Sequence, residues 1–470
     1  MAVETNRSTW IFVLILAGAG ALIHAAVLFF QAPVFQSLPY WFWPLHSTPT
    51  QSGWLWLAGL SLSLGVWVVY GGLPACWKLV LLVAIGVTVQ FSLAFSKGVG
   101  LDGIRDRMVH TGHAEFADVA ARTTSASEVL RHYEQLAGSG QIGAYAPSKP
   151  PGTLLTYIAF ERLAQAFADT PGTAVERANR LRDFASYTWP ILTYLAIPLI
   201  YLLGQRVFGE REALMAGLLY ATVPAVNLIT LHTDQAVYPL AALFFAWLYV
   251  ASLTRSSLHY AIWSGVALYA AIFLSFGMLG MVVWALALTW FANMFMANKF
   301  RTLAWAGTGF VVTALLVWLA FDYEPVQRYL SATSYHQNWK GWDGSLTTTA
   351  KAALTNVVEY ATWLGLPMTT VFLYAVAWAM SQGRGEKPAW TRALILALIL
   401  TIVILAVFGK TKAETARLWL FLSPFIALAV AHGLGQLAQH SKRLSALLLT
   451  FLLATQFLTN VAILRYQDFF

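Results

Sequence analysis

One cysteine, Cys76, stands among 470 residues, so no disulfide forms within the chain. Charge is nearly as scarce. Asp, Glu, Lys and Arg make up 11% of the residues against 58% hydrophobic ones, whereas an ordinary soluble domain averages about 25% charged residues. An ordinary soluble protein is thereby excluded. The alternating pattern of barrel strands is missing too, which leaves helices as the only spanning elements. The sequence has no phosphate-cradling P-loop, dinucleotide fingerprint or serine nucleophile elbow; Gly98-Val99-Gly100 and Gly138-Ser139-Gly140 are weak glycine signals in loops. It also lacks a fixed-period repeat, a low-complexity linker and a soluble domain.

What is present is a succession of apolar runs of about 17–22 residues, each long enough to cross a hydrocarbon core of about 30 Å. They fall at 10–30, 54–74, 78–96, 184–204, 213–231, 236–253, 260–276, 277–296, 303–321, 361–380, 392–408, 418–436 and 444–464. The expectation is an all-α polytopic membrane protein with about thirteen crossings. Trp10 to Phe30 is too long for a signal-peptide core and lacks a cleavage site, so it reads as a retained first helix.

With the N-terminus in the cytoplasm, every inner connection carries Lys or Arg: Arg7, Lys78, Arg206 with Arg211, Arg255, Lys299 with Arg301, Arg384 with Lys387 and Arg392, and Lys442 with Arg443. That is the positive-inside pattern. It accounts for the net charge of +8 without nucleic acid, because the cations are scattered through short loops. Aromatic residues at 14%, including 20 Trp, fit interfacial belts. Three outer segments, 97–183, 322–360 and 409–417, are polar and contain cations. Lys410, Lys412 and Arg417 in the shortest of them break the rule, and an anionic ligand is a candidate cause.

The outer segment 97–183 is too long to be structureless, so short helices are expected at 113–121 and 125–137. Thr153–Phe167, with Glu161 and Arg162, reads as an amphipathic helix at the interface. Within this segment lie two notable stretches. One is Gly112-His113-Ala114-Glu115-Phe116-Ala117-Asp118-Val119-Ala120; the other is Tyr145-Ala146-Pro147-Ser148-Lys149-Pro150-Pro151-Gly152.

The helix from Glu115 to Ala120 and the motif Ser148-Lys149-Pro150-Pro151-Gly152 resemble parts of the GT-C superfamily of membrane glycosyltransferases. The nearest patterns are those of the lipid A aminoarabinose transferase and the protein O-mannosyltransferases. Arg180-Leu181-Arg182, Tyr201 to Gly209 and Ala213 to Pro224 are similar to the stretch C-terminal to the Lys-Pro-Pro motif in that family. The resemblance covers about residues 78–235 and makes 78–470 a GT-C-like membrane domain, with 97–183 its active-site loop, preceded by two extra helices in 1–77. In an ungapped alignment the family's Asp-Glu pair falls on Gly112-His113, so its expected first acid is missing here.

The resemblance implies transfer of a sugar from a polyprenyl-phosphate donor to a lipid, glycan or protein acceptor at the outer face of a membrane. A bacterial inner membrane with a periplasmic loop suits it. Such a displacement needs a carboxylate base and cations for the departing phosphate. Asp102 and Asp106, and Glu115 with Asp118 on one helical face, are the base candidates; the alternative for each is a solvated face paired with Arg105, Arg107 and Arg122. Lys149 before two prolines is a candidate phosphate ligand, as are Arg417, Lys410 and Lys412, although Glu414 can pair locally with Arg417. Asp234, Tyr145, His336, Trp339 and Trp342 are candidate sugar or acceptor contacts, against helix capping for Asp234 and interface anchoring for the tryptophans. His110 and His113 with Glu115 offer ligand types for a divalent metal, which some GT-C enzymes use, but the spacing matches no zinc signature. A non-catalytic scaffold or accessory subunit of this fold is the competing reading, motivated by the missing Asp-Glu pair. A transporter ranks third, since paired inverted repeats are not apparent.

Overall fold

The computed structural model describes residues 7–110, 112–168, 172–231, 234–292, 296–381, 389–409, 411–438 and 441–467, and these are helical almost throughout. Among them, nine helices are long and apolar enough to cross a membrane, which makes this an integral membrane protein. They match the expected runs at 10–30, 54–74, 78–96, 184–204, 236–253, 303–321, 392–408, 418–436 and 444–464. The count of thirteen is not confirmed.

The remaining four runs are apolar but broken or short, each for a local reason. Leu258–Leu274 and Gly280–Phe291 are helices of 17 and 12 residues. Run 361–380 is interrupted at Gly365, whose φ is +90°; the helices Leu346–Leu364 and Leu366–Ser381 meet there at 110°. Run 213–231 stops at Tyr220 and resumes at Pro224, because proline has no N–H and clashes with the preceding turn.

Carbonyls freed by such breaks must be satisfied inside an apolar bundle. Asn227 donates to Ala221 O at 3.1 Å and Asn460 to Thr222 O at 2.7 Å. Asn227 in turn accepts from Tyr194 at 2.5 Å, while Gln90 donates to Val226 O and to Thr230. The second break is held likewise, with Gln456 donating to Leu364 O at 2.8 Å. Because the segment after Pro224 is no longer a straight span, it can deliver Asp234 to the foot of the helix Tyr238–Arg255.

The two N-terminal helices pack on the main bundle. Arg7–Phe29 lies against Lys442–Tyr466 and Leu366–Ser381, and Ser52–Tyr70 against Ala75–Ser96. The polar segments form a helical cap over one end. Gly100–His110, Ala114–Arg122, Ala126–Arg131, Tyr133–Gly138 and Gly152–Ala166 agree with the expected pattern of short helices. They enclose a second apolar core around Phe116, Tyr133, Leu154, Tyr157 and Trp189. Pro325–Trp339 joins the cap from the later segment, contacting the turn at Ala146–Ser148.

Candidate functional site

A cavity of about 350 Å³ lies where the cap meets the bundle, a volume in the range of small-ligand sites. Lys149, Arg417, His113, Tyr145, His336 and Trp339 line its polar side. Leu279 and Val283, with Leu405 and Phe408 from the candidate span Ala389–Phe408, form an apolar side.

Lys149 arrives on a tightly held turn. After the 3₁₀ turn Ala146–Ser148 its backbone is extended, as a residue before proline prefers. Tyr133 donates from its hydroxyl to Ala146 O and Lys149 O, each at 3.3 Å. Arg328, buried, donates to Pro147 O and pairs with Glu134 at 3.2 Å. Glu115 accepts from the N–H of Ala144 at 3.0 Å and of Tyr145 at 2.8 Å. The backbone of this turn is thus anchored on three sides. Among the described residues, the Lys149 ammonium itself has no hydrogen bond or ion pair. Burial lowers its pKa, with Asp234 pulling against that effect and Arg417 adding to it.

Arg417 arrives differently, on a loop with its own counter-charge. Asn356 donates to Thr411 O at 2.7 Å and accepts from the Ala413 N–H at 3.0 Å. Glu359 accepts from the Ala416 N–H at 3.0 Å. Ala413 and Glu414 adopt φ of +60° and +62°, a strained conformation for residues with a side chain. It turns the Glu414 carboxylate onto two cations, Lys340 at 2.9 Å and Arg417. Burial pushes the Glu414 pKa up, but Arg417 and Lys340 outweigh it and hold the group at about 2.

His113 immediately precedes the helix Ala114–Arg122 and is buried. Its Nδ1 lies 2.5 Å from Asp234 Oδ1. Nε2 of the ring and Oδ2 of the carboxylate are buried without a hydrogen-bond partner among the described residues. Tyr145 meets the edge of the His113 ring at 5.5 Å and that of Trp339 at 5.7 Å. His336, 6.1 Å from Trp339, has its pKa lowered to about 4 by burial and then by Lys340. At neutral pH it is an uncharged hydrogen-bonding group.

Of the residues singled out in the sequence, Lys149, Arg417, Tyr145, His336 and Trp339 thus come together, with Asp234 directly behind His113. The other described candidates, His113 apart, do not line the cavity. Asp102 is exposed near the start of Gly100–His110. Glu115 is engaged with the turn as described, and Asp118 is held by Arg182 at 2.8 Å. Lys412 donates to Lys340 O at 3.0 Å and Gly341 O at 2.6 Å, between the rings of Tyr40 and Trp342. Lys412 and Trp342 therefore fasten two loops to each other. Lys410 lies outside the described residues.

At Gly112, where the resembling family has its first acid, a Cβ would sit 2.5 Å from the Tyr145 hydroxyl, so a side chain there requires Tyr145 to shift. A divalent metal does not fit His110 and His113 either. His110 pairs at the surface with Asp106 at 3.2 Å, and the described residues include no group of three metal-binding side chains.

Sequence reading overlooked Tyr133, Arg328, Asn356 and Glu359. Asn356 and Glu359, three apart on one helical face, and Arg328, within the helix Pro325–Trp339, carried a faint signal as polar residues at helical spacing.

No family model matches the chain, and no curated protein matches it significantly. Two crystal structures of the oligosaccharyltransferase of Archaeoglobus fulgidus are similar in fold. The apo form gives a TM-score of 0.53 at 12% identity, over 84% of this chain and 57% of that one. The form in complex with Zn and sulfate gives 0.47 at 15% identity, over 68% and 45%. This chain therefore spans little more than half the length of that protein. Its fold is GT-C-like.

Proposed function

We propose that the chain is an integral-membrane glycosyltransferase that moves a sugar from a polyprenyl-phosphate donor to a lipid, glycan or protein acceptor. The reaction takes place at the outer face, with the cap periplasmic over a bacterial inner membrane. One observation carries this reading: Lys149 and Arg417 line the same cavity as an apolar wall from a candidate span. A lipid phosphate has those two ends. Its charge answers the ammonium that lacks a partner among the described residues, and its chain lies along Leu405 and Phe408. Lys149 acts as a point charge on the phosphate, and Arg417 adds directed donors. Tyr145, Trp339 and neutral His336 supply the stacking faces and hydrogen bonds that a sugar takes.

Glu115 and Asp118 are bound up in structural contacts, and this favours as a second reading a non-catalytic scaffold of the same fold. Mass spectrometry of lipids that copurify with the protein tests the first. Polyprenyl phosphate, free or sugar-bearing, should accompany the wild type and be depleted in Lys149→Met. A stable, monodisperse protein that carries no polyprenyl lipid and is not stabilised by added undecaprenyl phosphate would overturn it.

A further inference from the structure

We infer that His113 is the general base of this site and that Asp234 positions it. This role rests on the glycosyltransferase reading, and it supplies the proton acceptor that Asp102, Glu115 and Asp118 do not bring to the cavity.

The geometry is that of a base with an orienting partner. A carboxylate 2.5 Å from Nδ1 can only accept, so Nδ1 carries the proton and Nε2 of the neutral ring carries a lone pair. That nitrogen has no partner among the described residues, yet His113 lines the cavity. A buried acceptor without a partner costs free energy unless a ligand completes it. The groups that face the ring are Asp234 from the turn Asp234–Val237, Tyr145 and Lys149 from the anchored turn, and Arg417 from the helix Thr415–Leu418. Burial lowers the His113 pKa, Asp234 opposes this, and Lys149 and Arg417 lower it further. The ring is therefore unprotonated at neutral pH, as a base must be.

In the reaction, Nε2 takes the proton of an acceptor hydroxyl, and the freed electron pair on that oxygen forms the bond to the anomeric carbon. The bond from that carbon to the phosphate oxygen breaks, its electron pair leaving on the phosphate. Lys149 and Arg417 oppose the added negative charge. Asp234 stabilises the imidazolium until the proton passes to water. Nothing is oxidised or reduced.

The experiment reads the lipid bound to protein purified from cells, so neither sugar nor acceptor need be known in advance. Wild type should carry mainly discharged polyprenyl phosphate. His113→Gln should trap the sugar-loaded form, raising the loaded-to-discharged ratio on the order of 100-fold or more, the usual worth of a general base. Imidazole added to membranes that contain His113→Ala, where the acceptor is present, should discharge the trapped lipid. Asp234→Asn should raise the ratio and Asp234→Glu should bring it partly back, a restoration that a merely structural role would not give. The Asp234 pair also carries the test should the His113 variants fail gel filtration.

A wild-type ratio in folded His113→Gln, or a variant that carries neither lipid, would overturn the base role while leaving the glycosyltransferase reading intact. Wild type that neither carries polyprenyl lipid nor is stabilised by added undecaprenyl phosphate would overturn that reading and the base role with it.

Discussion

Lys149 and Arg417 reach one cavity from two loops built on opposite principles. The turn at 143–151 is fixed through its backbone by Glu115, Tyr133 and Arg328, and leaves the lysine ammonium without a pair among the described residues. The loop at 411–417 is fixed by Asn356 and Glu359, and its strained Glu414 supplies Arg417 and Lys340 with an internal anion. A cation without a pair in an enclosed site is unstable unless a ligand arrives, whereas a paired one is already satisfied. The lysine is therefore where a ligand anion gains most, and the arginine is where it must compete.

Removing the unpaired cation should have the larger effect. Lys149→Met deletes a charged contact worth about 1.5–3 kcal/mol, so affinity for undecaprenyl phosphate in nanodiscs should fall roughly 10- to 100-fold. Thermal stability without ligand should stay the same or rise, because an ammonium disfavoured by burial is gone. A stability loss with unchanged affinity would reverse the contrast between the two loops.

Glu414→Gln attacks the other side. Two cations lose their shared counter-charge, so the ligand-free protein should be less stable by about 2 kcal/mol, part of the 3–5 kcal/mol for breaking a buried pair. Affinity for the lipid phosphate should rise, since Arg417 no longer has a competing anion. The pH dependence has a definite sign. The Glu414 pKa in the folded protein, about 2, lies below the ordinary 4.5. Its stabilisation is therefore complete above about 4.5 and is lost as pH falls toward 2. The difference in melting midpoint between wild type and variant should be constant across neutral pH and shrink only in that acid window.

The same contrast explains how far the chain could be read without its structure. Continuous spans were legible because length and hydropathy suffice for them; 213–231 and 361–380 were not, since their breaks at Pro224 and Gly365 are stabilised by Asn460 and Gln456 from far along the chain. Lys149 and Arg417 stood out because a cation is conspicuous where none is needed. The anchoring role of Glu115 was hidden for a related reason. Helical spacing correctly put it on one face with Asp118, but the N–H groups it accepts from are 29 and 30 residues away, and no local pattern records them. His113 entered the reading only as a metal-ligand type, because its partner Asp234 is 121 positions distant.

Glu115→Gln should act on position rather than on charge at the cavity. One of two backbone acceptors survives in the amide, so the loss should be about 1–2 kcal/mol. The turn that carries Lys149 should loosen with it, read as faster hydrogen exchange at Ala144 and Tyr145 and a few-fold weaker lipid-phosphate binding. Unchanged exchange at those two amides would remove Glu115 from the anchoring of the turn.

The smallest effect belongs to Asp118, and it sharpens the comparison by being small. The Asp118 carboxylate is 49% exposed while the Arg182 side chain is 11% exposed, so solvent screening of the carboxylate brings the pair toward the roughly 0–1 kcal/mol of exposed pairs. Arg182 keeps a second acceptor in Ala114 O at 3.3 Å, so the guanidinium is not left without one. Asp118→Asn should shift the melting midpoint by at most a few degrees, and less at high salt, which screens such a pair. The loaded-to-discharged lipid ratio should match wild type. A trapped, sugar-loaded lipid in Asp118→Asn would instead move the base from His113 to the acidic face of the helix Ala114–Arg122, one of the positions the sequence offered for it.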